Sequence, residues 1–153
     1  MLRYRVHMDT IIEQTLAKWE QSIAREEVTD PVWRIHAYRV ARCLLDQANS
    51  DAVVLATRAD EKTLRQLVRA VGSISANVAE GYSRRTGADR SRFYSYALGS
   101  SREAMVWYRT VAHGLDAETL GVRMAFLVQE RRLLIGMLKA VQRNGGPSFE
   151  PPL

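Results

Sequence analysis

The sequence predicts an all-α protein, an antiparallel up-down-up-down four-helix bundle with an extra N-terminal helix. Apolar residues recur at intervals of three and four along most of the chain, and no sustained alternation of apolar and polar residues competes with this helical period. Short turns separate the helical stretches, which favours antiparallel neighbours. The 153 residues are enough for one domain with its own core.

The first predicted helix forms an N-terminal extension over residues 1–29. Its apolar stripe consists of Met8, Ile12, Leu16, Trp19 and Ile23. Asp30-Pro31 predicts the start of the second helix, because Asp is a favoured N-cap and proline is favoured at the first helical position. A connection over residues 50–58 should follow this helix, with its Ala-Val-Val-Leu packed against the bundle end. The side chains predicted to point inward are Trp33, Ala37, Val40, Ala41, Leu44 and Ala48, and those predicted to face solvent are Arg39, Arg42, Asp46 and Asn49.

The third predicted helix runs from Asp60 to Tyr82, with Gly81 as its stop signal. Its core stripe consists of Leu64, Leu67, Val71, Ile74, Ser75 and Val78. Thr86 or Asp89 predicts the start of a fourth helix, which His113-Gly114 ends. The core positions predicted for it are Phe93, Ala97, Ser100, Ala104, Trp107 and Val111.

The fifth predicted helix is capped by Asp116 and continues to Asn144. Its apolar stripe consists of Leu120, Met124, Leu127, Leu134, Leu138 and Val141. Glu130 and Arg131 interrupt its apolar bands, which favours a specific partner across an interface. Residues 30–144 are therefore predicted to form the bundle domain, and residues 145–153 a disordered tail.

The composition is that of a basic protein from a reducing compartment. The net charge is +5, and a single cysteine, Cys43, cannot form an internal disulfide. No apolar run approaches the roughly 20 residues that span a bilayer, so we expect a cytoplasmic protein without membrane contact. The basic charge is concentrated, because residues 58–92 hold eight basic and four acidic side chains. Such a domain attracts polyanions, although arginine-rich surfaces also serve solubility alone.

Catalytic and metal-binding patterns are not found in the sequence. No Glu-x-x-His motif occurs, and His7, His36 and His113 lie far apart. Cys43 adjoins core positions with no base nearby, which is typical of a small apolar filler. We therefore expect a non-enzymatic protein without a cofactor or metal.

A basic ladder and a basic turn are the candidate nucleic-acid site. Arg58, Lys62, Arg65 and Arg69 are spaced to lie on one side of the third helix. Four more arginines follow around the next turn, namely Arg84, Arg85, Arg90 and Arg92. Arginines in such a surface bind phosphates without reading sequence. The alternative to a nucleic-acid site is a solvated face with ordinary ion pairs.

Interleaved aromatic residues such as Tyr94 and Tyr96 could stack on bases or belong to the core or a subunit interface.

Polar residues on the third helix form a line of Ser73, Asn77, Glu80 and Arg84. If this line is buried against the antiparallel helix, Ser100, Ser101 or Glu103 must satisfy its hydrogen bonds, because unpaired buried polar groups are costly.

Three stretches of the sequence together resemble a known family: SISANVAEGYSRR over residues 73–85, Arg92-Phe93, and ALGSSREA over residues 97–104. The members of this family are the small four-helix-bundle proteins encoded within intervening sequences of bacterial 23S ribosomal RNA genes, also labelled S23 ribosomal proteins.

The resemblance covers residues 33–142 and implies an antiparallel bundle that assembles into a ring-like homopentamer with a basic surface. It implies nucleic-acid binding only loosely, and we rank RNA ahead of DNA. A related branch contains accessory proteins of diversity-generating retroelements, which associate with a reverse transcriptase and its RNA. That role ranks second, because this chain keeps the Asn-x-Ala-Glu-Gly signature of the intervening-sequence branch. The structural signature residues are Asn77, Glu80, Gly81, Ser100 and Glu103.

Overall fold

Five α-helices make up the computed structural model, which describes residues 2–144, with side chains from residue 6 onward. Their bounds are α1 Leu2–Glu20, α2 His36–Leu55, α3 Glu61–Tyr82, α4 Gly87–Thr110 and α5 Ala117–Arg143. A longer segment with two 3₁₀ turns joins the first helix to the second, and short turns join the others. No strand occurs between residues 2 and 144, and the predicted all-α class is confirmed. The tail predicted for residues 145–153 lies outside the described residues. The boundary predicted at residue 30 stays a prediction.

Helices α2 to α5 form the four-helix bundle, in which each helix packs against the next and α5 closes on α2. The additional helix α1 packs on α5 and α2. Its side of the contact consists of Met8, Ile12 and Leu16, all buried as predicted. The bundle core is dominated by large apolar side chains from all four helices, namely Leu44, Leu55, Leu67, Ile74, Leu98, Phe126, Leu127, Leu134 and Leu138.

Side-chain caps fix the starts of three helices where the sequence predicted them. The side chains of Asp60, Thr86 and Asp116 accept hydrogen bonds from backbone N–H groups in the first turns of α3, α4 and α5, at 2.9, 3.1 and 2.7 Å. Each cap satisfies a donor that the helix itself leaves unpaired. Thr86, rather than Asp89, is therefore the residue that starts α4.

The predicted bounds of α2 were wrong at both ends. Asp30 accepts a hydrogen bond from the backbone N–H of Val32 at 2.9 Å, but this cap opens only a 3₁₀ turn over Pro31–Arg34. Ile35 is extended, and α2 begins at His36. At its other end α2 continues to Leu55 through the predicted connection, so that Leu55 is buried whereas Val53 is 78% exposed.

The predicted solvent-facing side of α2 is exposed at Asp46 and Asn49, but α1 and the segment that follows it partly cover Arg39 and Arg42. Arg39 pairs with Glu20 at 3.0 Å and Arg42 with Glu27 at 3.5 Å. The Trp19 indole N–H donates to Asp46 at 2.7 Å. The ring of Trp19 also stacks on Trp33, with 5.9 Å between centroids. The local pattern on α2 could not show this, because the partners come from elsewhere in the chain.

The core stripe of α4 differs from the predicted one. Ala97, Ala104 and Val111 are buried as predicted, but Phe93, Ser100 and Trp107 are only half-buried. The aromatic residues in the core are Tyr94 and Tyr108 instead. Both faces of α4 carry aromatic residues at helical spacing, so periodicity alone did not distinguish them.

Gly81 does not stop α3, because the helix continues to Tyr82. Gly81 is buried, and a Cβ at this position would lie 2.6 Å from the Tyr94 ring. It therefore permits the close approach of α4 to α3 rather than a left-handed cap. The prediction of its role was wrong, although the helix end was placed correctly.

A buried ion pair joins three helices of the bundle. Arg123 on α5 donates to both carboxylate oxygens of Asp51 on α2, at 2.7 and 3.0 Å. The Tyr108 hydroxyl of α4 donates to the same carboxylate at 2.8 Å. Burial, together with the charge of Asp51, raises the pKa of Tyr108 far above its ordinary value, so the hydroxyl keeps its proton.

Glu130 on α5 lies inside the bundle, with 0% of its surface exposed. Neither of its carboxylate oxygens has a hydrogen-bond partner in the described part of the chain. Burial raises the pKa of this carboxyl well above its usual range. The predicted role of Glu130 at an interface was therefore wrong, because its own chain encloses it.

Candidate nucleic-acid interface

The eight basic residues predicted to bind nucleic acid lie in two groups at opposite ends of α3. This helix has 22 residues, so it is roughly 33 Å long at the 1.5 Å rise of an α-helix. Arg58 lies just before its N-terminal end, and Lys62, Arg65 and Arg69 lie in its N-terminal half. The other group lies at its C-terminal end and the start of α4, and consists of Arg84, Arg85, Arg90 and Arg92.

Arg58 does not belong to the ladder on α3, because it precedes the helix. Its guanidinium donates to the carbonyl oxygen of Gly114 at 2.9 Å. The ring of His113 contacts the carbonyl oxygen of Arg58 at 3.1 Å. Gly114 is needed here, because a Cβ would lie 2.4 Å from Leu55. Arg58 thus connects two turns at one end of the bundle.

The remaining ladder residues are exposed on α3, and two of them are ion-paired. Arg65 pairs with Glu61 at 3.0 Å, and Arg69 pairs with Glu103 of α4 at 2.5 Å. Lys62 has no ion pair within residues 6–144. A shallow groove between α2 and α3 lies beside this group and is lined by Ala52, Glu61, Leu64, Arg65, Val68 and Arg69.

The second group surrounds the turn between α3 and α4, and we call it the tip: Tyr82, Arg84, Arg85, Arg90, Arg92, Phe93 and Tyr96. Arg84 is ion-paired with Glu80, and Arg92 with Asp89 at 3.3 Å. Arg90 uses its Nε–H to hold the carbonyl oxygen of Arg84 at 2.8 Å. The exposed Arg85 makes no ion pair or side-chain hydrogen bond with any described residue.

Phe93 is the centre of the tip. The guanidinium carbon of Arg84 lies 4.9 Å from the centroid of the Phe93 ring, and that of Arg92 lies 5.2 Å from it. The Tyr96 ring meets the same ring edge-on, with 5.8 Å between centroids. Cation–π contact of this kind holds the planar guanidinium groups in place. The sequence analysis had placed Arg92 in the nucleic-acid site and left the role of Tyr96 open. Phe93 was predicted to lie in the core, and that prediction was wrong, because its ring is only half-buried.

The polar line on α3 reaches α4 through Ser73, and its partner there is Ser100, one of the residues that the sequence analysis offered. The Ser100 hydroxyl donates to the Ser73 hydroxyl oxygen at 3.0 Å. The Asn77 amide donates to the carbonyl oxygen and the hydroxyl oxygen of Ser73 at 2.8 and 3.0 Å. Glu103 accepts from the Trp107 indole at 3.2 Å, besides pairing with Arg69. Two signature residues therefore join α4 to α3, since Ser100 bonds to Ser73 and Glu103 pairs with Arg69. Asn77 bonds within α3, and Glu80 pairs with Arg84.

The structure places Cys43 in the core, with its sulfur accepting a hydrogen bond from the Gln47 amide at 3.3 Å. Burial raises the pKa of this thiol to about 11, so the sulfur is a protonated, unreactive group near neutral pH.

Over residues 6–144, no three His, Cys, Asp or Glu side chains converge in a way that could hold a metal ion. Among the same described helices, none is both long and apolar enough to cross a membrane.

Comparisons with known proteins agree with the resemblance predicted from the sequence. Residues 41–115 match the model of the family described as 23S rRNA-intervening sequence protein. The chain also resembles the crystal structure of a protein of unknown function from the S23 ribosomal protein family of Bacteroides thetaiotaomicron VPI-5482. The TM-score is 0.63 at 18% identity, over 67% of this chain and 98% of that one, which shows a shared fold. No curated protein matches the chain.

Proposed function

Starting from the match of residues 41–115 to the 23S rRNA-intervening sequence protein family, we propose that this chain is a non-enzymatic, oligomeric bundle that binds RNA or DNA through its basic surface. The observation that carries the proposal is the tip, where four arginines adjoin two carboxylates, Glu80 and Asp89. The excess positive charge attracts phosphates, and guanidinium groups bind them with planar, bidentate geometry. Phosphate contacts of this kind do not depend on the nucleotide sequence.

The tip supports the proposal better than the ladder does. At the opposite end of the bundle, the Arg58 guanidinium donates to the carbonyl oxygen of Gly114. Arg69 forms an ion pair with Glu103. Arg85 is exposed and has no partner among the described side chains, and Arg90 uses only its Nε–H within the turn. These two residues can meet phosphates without first breaking an ion pair.

Replacing both Arg85 and Arg90 by Glu should weaken the binding of a labelled RNA or DNA strand at least about tenfold at low salt. Two lost phosphate contacts should also lower the slope of log affinity against log salt by roughly two. Fluorescence anisotropy across a salt series measures both quantities. Circular dichroism checks that the helix content is unchanged.

The matched control replaces Lys62 and Arg65 by Glu, which changes the net charge by the same amount at the other end of α3. We expect this variant to lose less affinity than the Arg85 and Arg90 variant. Equal losses would mean that overall charge, not the tip, governs binding. Absence of binding by the natural chain at low salt would refute the proposed function.

Self-association is part of the proposal, and exposed apolar side chains support it. Val53 and Val54 on α2 and Val106 on α4 are exposed in the single chain. Burying such side chains between subunits is favourable. Light scattering should therefore give a mass several times the 17.4 kDa of one chain. A mass of one chain at micromolar concentration would contradict it.

A second candidate function is a protein-interaction scaffold, in particular an accessory subunit of a reverse transcriptase. The groove between α2 and α3 favours it, because apolar Ala52, Leu64 and Val68 lie beside Arg65 and Arg69. Such a surface fits an acidic amphipathic helix of a partner. A gene for a reverse transcriptase beside this one would favour the scaffold, whereas a position inside a ribosomal RNA gene would favour the first function.

A further inference from the structure

We propose that the tip binds single-stranded RNA or DNA in preference to a duplex, with unpaired bases stacked on Tyr96 and beside the guanidinium groups held by Phe93. This inference rests on the proposed function and specifies the class of nucleic acid. Three observations carry it: where the exposed aromatic rings are, how the two guanidinium groups are held, and where an unpaired arginine lies.

The exposed aromatic rings are concentrated at the tip. Tyr96 is 53% and Tyr82 is 40% exposed, and they are the two aromatic residues among the large exposed apolar side chains of residues 6–144. Exposing an aromatic ring forgoes the favourable burial that the rest of this chain uses. Stacking with a nucleic-acid base recovers it, at about 1–3 kcal/mol per base. In a duplex the base faces are already stacked on each other and do not meet the ring.

The guanidinium groups of Arg84 and Arg92 are preorganised by Phe93. Both lie near its ring, and each is also ion-paired, Arg84 with Glu80 at the end of α3 and Arg92 with Asp89 on α4. These contacts restrict the side-chain rotation that phosphate or base binding would otherwise have to freeze. Guanidinium planes accept stacked bases as aromatic rings do, and RNA-binding proteins use both.

Arg85 supplies the phosphate contact beside this platform. It lies in the turn next to Arg84, is exposed, and has no ion pair with a described residue. A strand whose bases stack at Tyr96 can therefore place its backbone along the turn. The combination of a stacking platform and a nearby cation is the arrangement by which proteins bind single strands with little sequence preference.

The test uses Tyr96→Ala in the full chain. The probes are labelled oligo(U) and oligo(dT) of about 12 nucleotides, a length within the range of single-strand sites, and a duplex of the same length. We expect Tyr96→Ala to weaken binding of both single strands about 5- to 150-fold and to leave duplex binding within about twofold, because one stacked base is worth about 1–3 kcal/mol.

Two variants control the experiment. Tyr96→Phe keeps the ring and should bind the single strands as the natural chain does. Val28→Ala removes an exposed apolar side chain from the segment between α1 and α2, and should also have no effect. A loss of mass in light scattering for Tyr96→Ala would assign the ring to a subunit contact and overturn the proposal.

The outcomes separate this inference from the proposed function. If the natural chain binds duplex as tightly as single strands and Tyr96→Ala changes neither, the single-strand inference fails while phosphate binding stands. If the natural chain binds none of the three probes at low salt, both fail. If the two single strands bind with different affinities, the 2′-hydroxyl or the thymine methyl group contributes, and the preference for single strands over the duplex still holds.

Discussion

Replacing Asp51 by alanine is expected to destabilise the bundle by about 3–5 kcal/mol, the cost of leaving a buried charge without its partner. Asp51 accepts two hydrogen bonds from Arg123 and one from Tyr108, so α2, α4 and α5 all meet at this carboxylate. The variant leaves both the Arg123 guanidinium and the Tyr108 hydroxyl without the carboxylate that accepts their hydrogen bonds. Thermal unfolding followed by circular dichroism should show a midpoint lower by about 6–20 °C for a domain of this size.

The matched control is Glu61→Ala, which breaks the exposed ion pair with Arg65. Exposed pairs contribute at most about 1 kcal/mol, so the midpoint should move little. A second variant replaces Asp51 by Leu and Arg123 by Met together, which removes both charges and should recover a large part of the loss. An unchanged midpoint for Asp51→Ala would show that the ion pair does not hold the three helices together.

Replacing Glu130 by leucine is expected to stabilise the protein, by about 2 kcal/mol or more at pH 8. The natural side chain is fully buried, and both its oxygens lack a partner in the described residues. Leucine removes the cost of desolvating these oxygens. At this chain length the thermal midpoint should rise by about 4–8 °C.

The pH dependence identifies the cause of that gain. Because burial raises the pKa of Glu130 in the folded protein, the folded chain keeps a proton that the unfolded chain loses. From the ordinary pKa of a glutamate upward to the raised one, stability therefore falls as pH rises, by about 1.4 kcal/mol per pH unit. Glu130→Leu removes this slope. The difference in unfolding free energy between the variant and the natural protein should therefore grow from pH 4 to pH 8.

Glu118→Leu is the control for this prediction, because Glu118 is an exposed carboxylate at the start of the same helix. It should change stability by less than about 1 kcal/mol and should not remove the slope. An advantage of Glu130→Leu that is the same at every pH would show that packing, rather than the proton, is responsible.

The course of α3 could be predicted from the sequence because its signals are local. Asp60 caps it, and Leu64, Leu67 and Val78 mark one uninterrupted core stripe. The other two capped helix starts followed from the same kind of pattern. Of the candidate site, the position of Arg84 and Arg85 at the end of the bundle was predictable, because they follow directly on the end of that stripe.

The remaining features depend on contacts between distant parts of the chain. Tyr108 is buried because its hydroxyl reaches Asp51, which is 57 residues away. Arg123 is 72 residues from the same partner. Neither pair leaves a pattern within one helix. Phe93 was predicted to lie in the core for the same reason, since its spacing fits burial equally well until the position of α4 against α3 is known.

The core position of Cys43 has a practical consequence for chemical labelling. It is the one cysteine of the chain, and its thiol is buried with a pKa of about 11. Maleimide reagents attack thiolates at the surface, so a cysteine introduced at an exposed position would react selectively while Cys43 is left in place. Fluorescent probes at each end of the bundle could then report where a strand binds without any change to the core.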